Sequence, residues 1–422
     1  MHLDLPAPKP IFDSLEHFSN PFYQSHFDAS PWLESELPGA DRDLEYASKF
    51  LYSYNGSKAT FNSYRRDVER LLHWSWLVAK LSLSELKRHH IEDFIRFCQQ
   101  PPKAWIGLKP VNRFIDNQGL RLANPDWRPF QASLSKEEHR RGMQAKVQDY
   151  QLSQQALKAM FAVLSTFYSF LIQEEMLDAN PVALIRQKSK FMISATRREV
   201  RRISNLQWEY LLRQADLLAA QAPELHERSR FALHCLLCMY LRISELVADE
   251  RSTPLMSHFH RDSDGHWWFD VIGKGNKERS VAVSDDMLDA LKRFRSYLGL
   301  SPLPLAGENT PMLPKLRGVG GIRSTAWLRQ LVQQLFDQTY ELMVRDGKSN
   351  DALELRAATV HWLRHTGISE DVKYRPIEHV RDDAGHSSAM TTDRYIDAER
   401  RARHASAQRK PGRPTIDMDH EQ

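Results

Sequence analysis

The chain is poor in cysteine, nearly balanced in charge and without a long apolar run. Three cysteines in 422 residues, Cys98, Cys235 and Cys238, cannot make a disulfide framework. Cys235 and Cys238 form C-x-x-C, but within "FALHCLLCMYL", an apolar helical run with no second pair to complete a zinc site. Helix packing accounts for them. No stretch reaches the roughly 20 apolar residues that span a bilayer. The opening "MHLDLPAPKPIFDS" lacks both the basic and the apolar segment of a secretory signal. No membrane partner is expected, and the location expected is cytoplasmic. A net charge of +4 is too slight to name a polyanionic partner from composition. Where the charge lies says more.

What is present suits folded domains. At 422 residues the chain is long for one hydrophobic core, so two domains are expected. Residues 1–40 are rich in Pro, Ser and aromatics without sustained periodicity and read as an irregular N-terminal extension. From Leu44 helical patterns follow: "LEYASKFLYSY", "TFNSYRRDVERLLHWSWLVA" and "LSELKRHHIEDFIRFCQQ". In the second, Phe61, Tyr64, Val68, Leu71 and Leu72 share one helix face. Ser84 with Lys87 makes half a capping box before the third. Residues 101–142 break the pattern with "PPKAWIGLKP" and "NPDWRPF", a long loop or small subdomain. Helix returns in "SQQALKAMFAVLSTFYSFLIQEEML" and stops before Pro181. Residues 41–185 therefore read as a helical domain carrying an insertion at 101–142.

Residues 186–202 read as a basic linker: Arg186, Lys188, Lys190, Arg197, Arg198, Arg201 and Arg202 face one acid, Glu199. It is either a solvated charge run or a strap along a phosphate backbone, where each neutralised phosphate releases counterions. Beyond it, residues 203–400 mix helix and strand. "SNLQWEYLLRQADLLAA" and "ERSRFALHCLLCMYLRISELVADE" predict helices, and "HWWFDVIGKGNKERSVAV" predicts a hairpin of two short strands. Further helices are expected at 284–298, 323–346, 357–373 and around 376–396.

Four stretches are awkward on structural grounds alone. "GHSSAMTTDRY" sets His386 and Tyr395 nine positions apart, with only Met390 between them to bury. In "CMYLRISELVAD" Arg242 interrupts an apolar helix end, where a buried guanidinium needs a partner or an anion. Glu245, three residues on, lies on the same helix face and can hold it. "VHWLRHTG" puts His361, Arg364 and His365 on one helix face, an arginine flanked by imidazoles that suits two phosphate oxygens. Trp362 stands where a zinc helix would carry glutamate. "VIGKGNKERS" places Lys274 in a glycine-flanked turn that lacks P-loop spacing, so no nucleotide is implied.

Together these residues fit phosphodiester cleavage. No metal-ligand cluster is visible in the sequence, and Arg242 and Arg364 can neutralise the non-bridging oxygens instead. A phenol of pKa near 10 is ionised about once in a thousand at pH 7, a deficit of about 4 kcal/mol. A nearby imidazole and two guanidinium charges offset that for Tyr395. Lys274 is placed to protonate the leaving 5′-oxygen. Neither cofactor nor metal is expected.

The set "YLRISEL", "VIGKGNKERSVAV", "HWLRHT" and "GHSSAMTTDRY", in this order, resembles the tyrosine recombinase (phage integrase) family. The motifs span residues 240–395, and the helical region to 185 looks like the family's core-binding domain. The resemblance implies an all-α, SAM-like core-binding domain and a mainly helical α+β catalytic domain with a small hairpin sheet. It implies that Arg242, Lys274, His361, Arg364, His386 and Tyr395 are catalytic and that Glu245 supports them. Lys277 is the alternative to Lys274 if the hairpin register differs. It further implies a clamp around duplex DNA, a 3′-phosphotyrosyl link with a free 5′-hydroxyl, and rejoining without ATP or metal. A homotetramer, or a heterotetramer with a related recombinase, is expected to exchange strands through a Holliday junction, with or without accessory proteins.

The insertion at 101–142 is longer than a compact member needs and would contact DNA, a neighbouring subunit or an accessory protein. The basic tail at 401–422 contains "RKPGRP", either a minor-groove hook with Arg413 inserted or a disordered basic tail. Two rival readings stand beside recombination. One is relaxation of the type IB topoisomerase kind; the other is a non-catalytic DNA-binding regulator.

Overall fold

The computed structural model describes residues 5–18, 37–118, 120–186, 202–249, 252–273, 277–386 and 408. The chain divides into two units, Met1–Thr196 and Arg197–Gln422. Both are mainly helical, with small sheets.

In the first unit a short turn, α1 (Leu15–Phe18), precedes α2 (Ala40–Tyr52), α3 (Lys58–Trp74) and α4 (Arg88–Gln99). After the insertion, which includes α5 (Lys136–Arg140), come α6 (Gln154–Gln173) and α7 (Ala183–Arg186). Ser57 and Ser153 cap α3 and α6 by accepting from Thr60 N and Ala156 N. The periodic face of α3 (Phe61, Val68, Leu71, Leu72) packs with Phe50, Phe94, Phe167 and Tyr168 into one core, each fully buried. By length and composition α6 could cross a membrane. Its Leu157, Leu164, Phe167 and Leu171 are instead buried in the unit's core. The capping box expected at Ser84 lies two residues earlier. Ser82 N donates to Glu85 Oε2 (2.8 Å) around a 3₁₀ turn, and α4 starts only at Arg88.

The insertion is a small subdomain. Strands β1 (Ile106–Gly107) and β4 (Phe130–Gln131) pair in parallel. Between them β2 (Phe114–Asn117) and β3 (Leu120–Ala123) form an antiparallel hairpin with Phe114 opposite Ala123. Its arginines face the N-terminal segment that the sequence reads as an irregular extension. Arg121 donates to both oxygens of Asp13 (2.8 and 2.9 Å), and Arg113 Nε donates to Phe12 O (2.9 Å). Ile11, Phe12 and Asp13 are each 2% exposed, so this strap belongs to the core of its unit.

Extended backbone has no helical partners for its N–H and C=O groups, so burial requires side chains to supply them. Glu69, on α3, accepts from Ile11 N and from Arg113, whose guanidinium lies 4.5 Å from the Trp127 ring. Burial alone would raise the Glu69 pKa, but Arg113, His73 and the Ile11 N–H outweigh it and hold the carboxyl below its usual range. His73 Nε2 donates to Lys9 O (2.8 Å) and Trp105 Nε1 to Pro6 O (3.0 Å).

The second unit opens with α8 (Asn205–Gln221) and α9 (Pro223–Cys238). A three-stranded antiparallel sheet follows: β5 (Phe259–Arg261), β6 (Trp267–Ile272) and β7 (Glu278–Ala282), in the order β5-β6-β7. The remaining helices are α10 (Asp285–Tyr297), α11 (Thr325–Arg345), α12 (Ser349–Ala357), α13 (Val360–Asp371) and α14 (Ile377–Ala384). Leu236, Phe269, Val281, Leu291, Phe336 and Leu363 are central in its core. A Cβ at Gly367 of α13 would lie 2.0 Å from Leu237 O, so only glycine lets α13 cross α9 this closely. That crossing brings the histidines of α13 beside the residues that leave α9.

The predicted hairpin is β6–β7; β5 and α12 were not anticipated. Only Ala352 and Leu355 of α12 are buried, too few to write a helical period. Cys235 is buried in α9 and Cys238 partly so; both are free thiols, and burial pushes the Cys238 pKa up to about 12. The helix predicted through "LRISELVADE" ends at Cys238, a difference that matters for the site.

Glu69→Ala would strand Arg113 and two strap N–H groups in the core. It is expected to destabilise the first unit by about 3–5 kcal/mol, the cost of breaking a buried ion pair. Urea titration followed by tryptophan fluorescence measures this. A loss below about 1 kcal/mol, the range of exposed ion pairs, would mean that the strap is not part of the core.

Candidate functional site

Past Cys238 the chain reverses. Tyr240 adopts a left-handed backbone (φ 51°), unusual for a bulky residue. Its hydroxyl donates to Asp371 and accepts from Arg375 Nη1 (3.0 Å), which holds the buried ring in place. Arg242 then heads a 3₁₀ turn, Ile243–Glu245. Glu245 reaches back to accept from Arg242 N (2.8 Å) and Arg242 Nη1 (2.8 Å). The contact expected across a helix face is thus made by a capping box.

α13 carries His361, Arg364 and His365. Arg364 is 3% exposed, and it donates from Nη1 to Tyr240 O and from Nη2 to Ala384 O. The His361 and His365 ring centroids are 4.3 Å apart.

The end of α14 draws the group together. Gly385 caps it in the left-handed region (φ 61°); Gly385 N donates to Asp382 O (2.9 Å) and His386 N to Arg381 O (3.2 Å). This closure uses the carbonyls of Arg381 and Asp382. The next three accept guanidinium N–H groups instead: Asp383 O from Arg279 Nε (2.9 Å), Ala384 O from Arg364 Nη2 and Gly385 O from Arg242 Nη2 (3.3 Å). His386 follows at once.

Electrostatics follow from this packing. Burial lowers the His386 pKa to about 4, helped by Arg364, Arg242, Arg279 and His361. His365 also falls to about 4, through burial and then His361, Arg364 and His386. His361, although exposed, is lowered by loss of surrounding water and then by Arg364 and Arg242. Three imidazoles are therefore neutral at pH 7. Burial would raise the Glu245 pKa, but Arg279 and Arg242 outweigh it and keep it ionised. Carbonyls satisfy the arginine donors without cancelling their charge, so an anion is attracted here.

Arg242, Glu245, His361, Arg364 and His386, named from the sequence, belong to this one cluster. Lys274 and Tyr395 lie outside the described residues, as do Lys188, Lys190, Arg197, Arg198 and Arg201 of the basic stretch. Arg186 ends α7, and Arg202 Nη1 stands 3.9 Å from Glu370. Lys277, just before β7, is exposed, and its carbonyl accepts from Gly273 N (2.8 Å). Sequence reasoning missed Arg279. The signal was strand alternation: Arg279 shares a face of β7 with fully buried Val281, an inward position where arginine is out of place. Among the described residues, the group of His and acidic side chains close enough to share an ion is Asp262, Asp264 and His266, in the turn before β6. Asp262 there is already engaged by Trp268 Nε1 (2.8 Å) and His266 N (2.8 Å).

A histidine pKa depressed by folding means that the unfolded chain binds more protons. The stability owed to these imidazoles is full above about pH 6.5 and is lost as pH falls toward 4. Melting temperatures between pH 7.5 and 4.5 are expected to fall on the acid side, and His365→Gln to flatten that slope. An unchanged slope in the variant would contradict the assignment.

No family model matches the chain. Tyrosine recombinase XerC of Chlorobaculum parvum is 24% identical over 258 residues, 58% of this chain and 70% of that protein. Tyrosine recombinase XerC of Bacillus licheniformis is 22% identical over 299 residues, 68% and 82% of the two. Among solved structures, the XerH site-specific recombinase bound to palindromic difH substrate in a post-cleavage complex superimposes with a TM-score of 0.53. It is 15% identical and the match covers 89% of this chain and 90% of that one, a likeness of fold. Four motifs in order, with Arg242, Arg364 and His386 from three of them gathered at the end of α14, and two curated relatives of that name make the chain similar to the tyrosine recombinases.

Proposed function

We propose that the chain is a site-specific DNA recombinase that cleaves and rejoins strands through a 3′-phosphotyrosyl intermediate, with Tyr395 as nucleophile. The observation that carries this reading is the set of guanidinium groups of Arg242, Arg279 and Arg364 at one helix end, where a single carboxylate, Glu245, pairs with the first two and neutral carbonyls take bonds from all three. Positive charge is left over for a phosphodiester.

In the proposed reaction the Tyr395 oxygen attacks phosphorus and the bond to the 5′-oxygen breaks. The phenol proton passes to an imidazole, for which His386 is placed nearest in sequence. Lys274 protonates the departing 5′-oxygen. Arg242 and Arg364 bind the non-bridging oxygens, on which charge grows in the transition state. The imidazoles enter uncharged, able to accept a proton or a hydrogen bond. Rejoining is the same sequence reversed, the bond energy being kept in the phosphotyrosyl link.

The partner is double-stranded DNA. Residues 41–185 act as the core-binding domain and 203–400 as the catalytic domain, with 186–202 a basic strap on the phosphates between them. The assembly on DNA is a tetramer. In the insertion Arg113 and Arg121 are occupied by the strap and Glu69, which leaves other residues of 101–142 to meet DNA or protein partners.

The test is covalent trapping on nicked DNA taken from beside the protein's own gene, with peptide mapping of the adduct. An adduct at Tyr395 that Tyr395→Phe lacks, with DNA affinity nearly unchanged, is expected. An adduct at another residue would refute the mechanism. Arg242→Ala is expected to slow adduct formation by about a hundredfold or more, the scale for losing a charge-stabilising donor.

A further inference from the structure

We infer that Arg279, which no motif reading singled out, is a positioning residue that fixes the geometry of the proposed cleavage site. The inference rests on the reaction proposed above.

Arg279 uses three of its guanidinium N–H groups within the cluster. Its Nη1 and Nη2 donate to the two oxygens of Glu245 (3.0 and 2.9 Å), and its Nε donates to Asp383 O (2.9 Å). With Arg242 N and Nη1, Glu245 then accepts four hydrogen bonds, two on each oxygen. That saturates a carboxylate and removes its freedom to rotate. Both side chains are nearly withdrawn from solvent, at 11% and 4% exposure, so the pair is not weakened as a surface pair is. Arg242, at 30%, is the member left facing outward.

The backbone is cut to fit this guanidinium. A Cβ at Gly385 would stand 2.9 Å from Arg279 Cδ, and one at Gly273 would stand 3.0 Å from Arg279 Nη1. Gly273 precedes Lys274 in the sequence, and Gly385 precedes His386. Asp383 adds a second tie to the same strand: Oδ1 accepts from Ala282 N (3.3 Å), while Oδ2 accepts from Arg375 Nη2 (2.5 Å). One side chain thus ties together the turn holding Arg242, the facing ends of β6 and β7 and the helix end holding His386.

Lysine at 279 keeps the charge but cannot span both carboxylate oxygens and a carbonyl at once. Arg279→Lys is therefore expected to lower the maximal rate of Tyr395 adduct formation on the order of a hundredfold, the cost of displacing reacting groups by about 1 Å. The half-saturating DNA concentration should not change. Glu245→Gln should slow the wild type similarly but add little in the Arg279→Lys background, because the two act through one contact. In Arg279→Ala, millimolar methylguanidinium should restore part of the rate. A melting temperature near wild type establishes folding. If Arg279→Lys does not meet that, Glu245→Gln alone must show the same loss of rate at constant DNA affinity.

A second readout does not depend on cleavage. Phenylglyoxal labelling, mapped by mass spectrometry, should modify Arg242 faster in Arg279→Lys than in wild type. Unchanged Arg242 labelling, a wild-type rate in the lysine variant, or a loss of DNA affinity matching the loss of rate would each overturn the inference. A wild type that gives no Tyr395 adduct while Arg242 labelling rises in Arg279→Lys would refute the proposed reaction and leave the positioning role standing.

Discussion

Three consecutive carbonyls at the end of α14, those of Asp383, Ala384 and Gly385, hold three arginines. Like charges do not gather in a protein interior unless something offsets their repulsion and loss of water. A carboxylate for each would do so, but would also neutralise the cluster. The chain uses one carboxylate, Glu245, and the dipolar end of a helix, whose last carbonyls need donors in any case. The same closure that ends α14 sets His386 beside the arginines.

Behind this front lies a second set of charges. Asp371, Arg375 and Asp383 link α13, the loop after it and α14, and the Tyr240 hydroxyl joins them. The Tyr240 carbonyl, on the other side of the same residue, accepts from Arg364. Its left-handed backbone allows one residue to serve both sets. The strap of the first unit is held by the same physics. Unpaired extended backbone is satisfied by charged side chains, here Glu69, Arg65 and Arg113, which in turn are held by packing.

Much of this was legible in the sequence, for identifiable reasons. The helices of the first unit follow from apolar residues at three-to-four spacing, and the β6–β7 hairpin from two short runs around a glycine turn. Arg242, His361, Arg364 and His386 stood out because each is a costly residue in an apolar or small-residue context. What escaped depends on contacts between segments far apart in the chain. The strap pairs residue 13 with residue 121, and Arg279 pairs with Glu245 across 34 positions. Glu245 was found for an incomplete reason: three residues separate it from Arg242 on a helix face and in a capping box alike. α12 buries two side chains and leaves no period to read.

The closure of α14 also sets where the chain can change length. Each residue advances a helix by about 100°. One residue gained or lost between Ile377 and Gly385 would turn the three carbonyls away from their arginines together. The turn at 316–319 is under no such constraint: Val319 is 93% exposed, and Gly318 turns in open space. Descendants of this sequence can therefore change the length of that turn, while the short helix before His386 must keep its count.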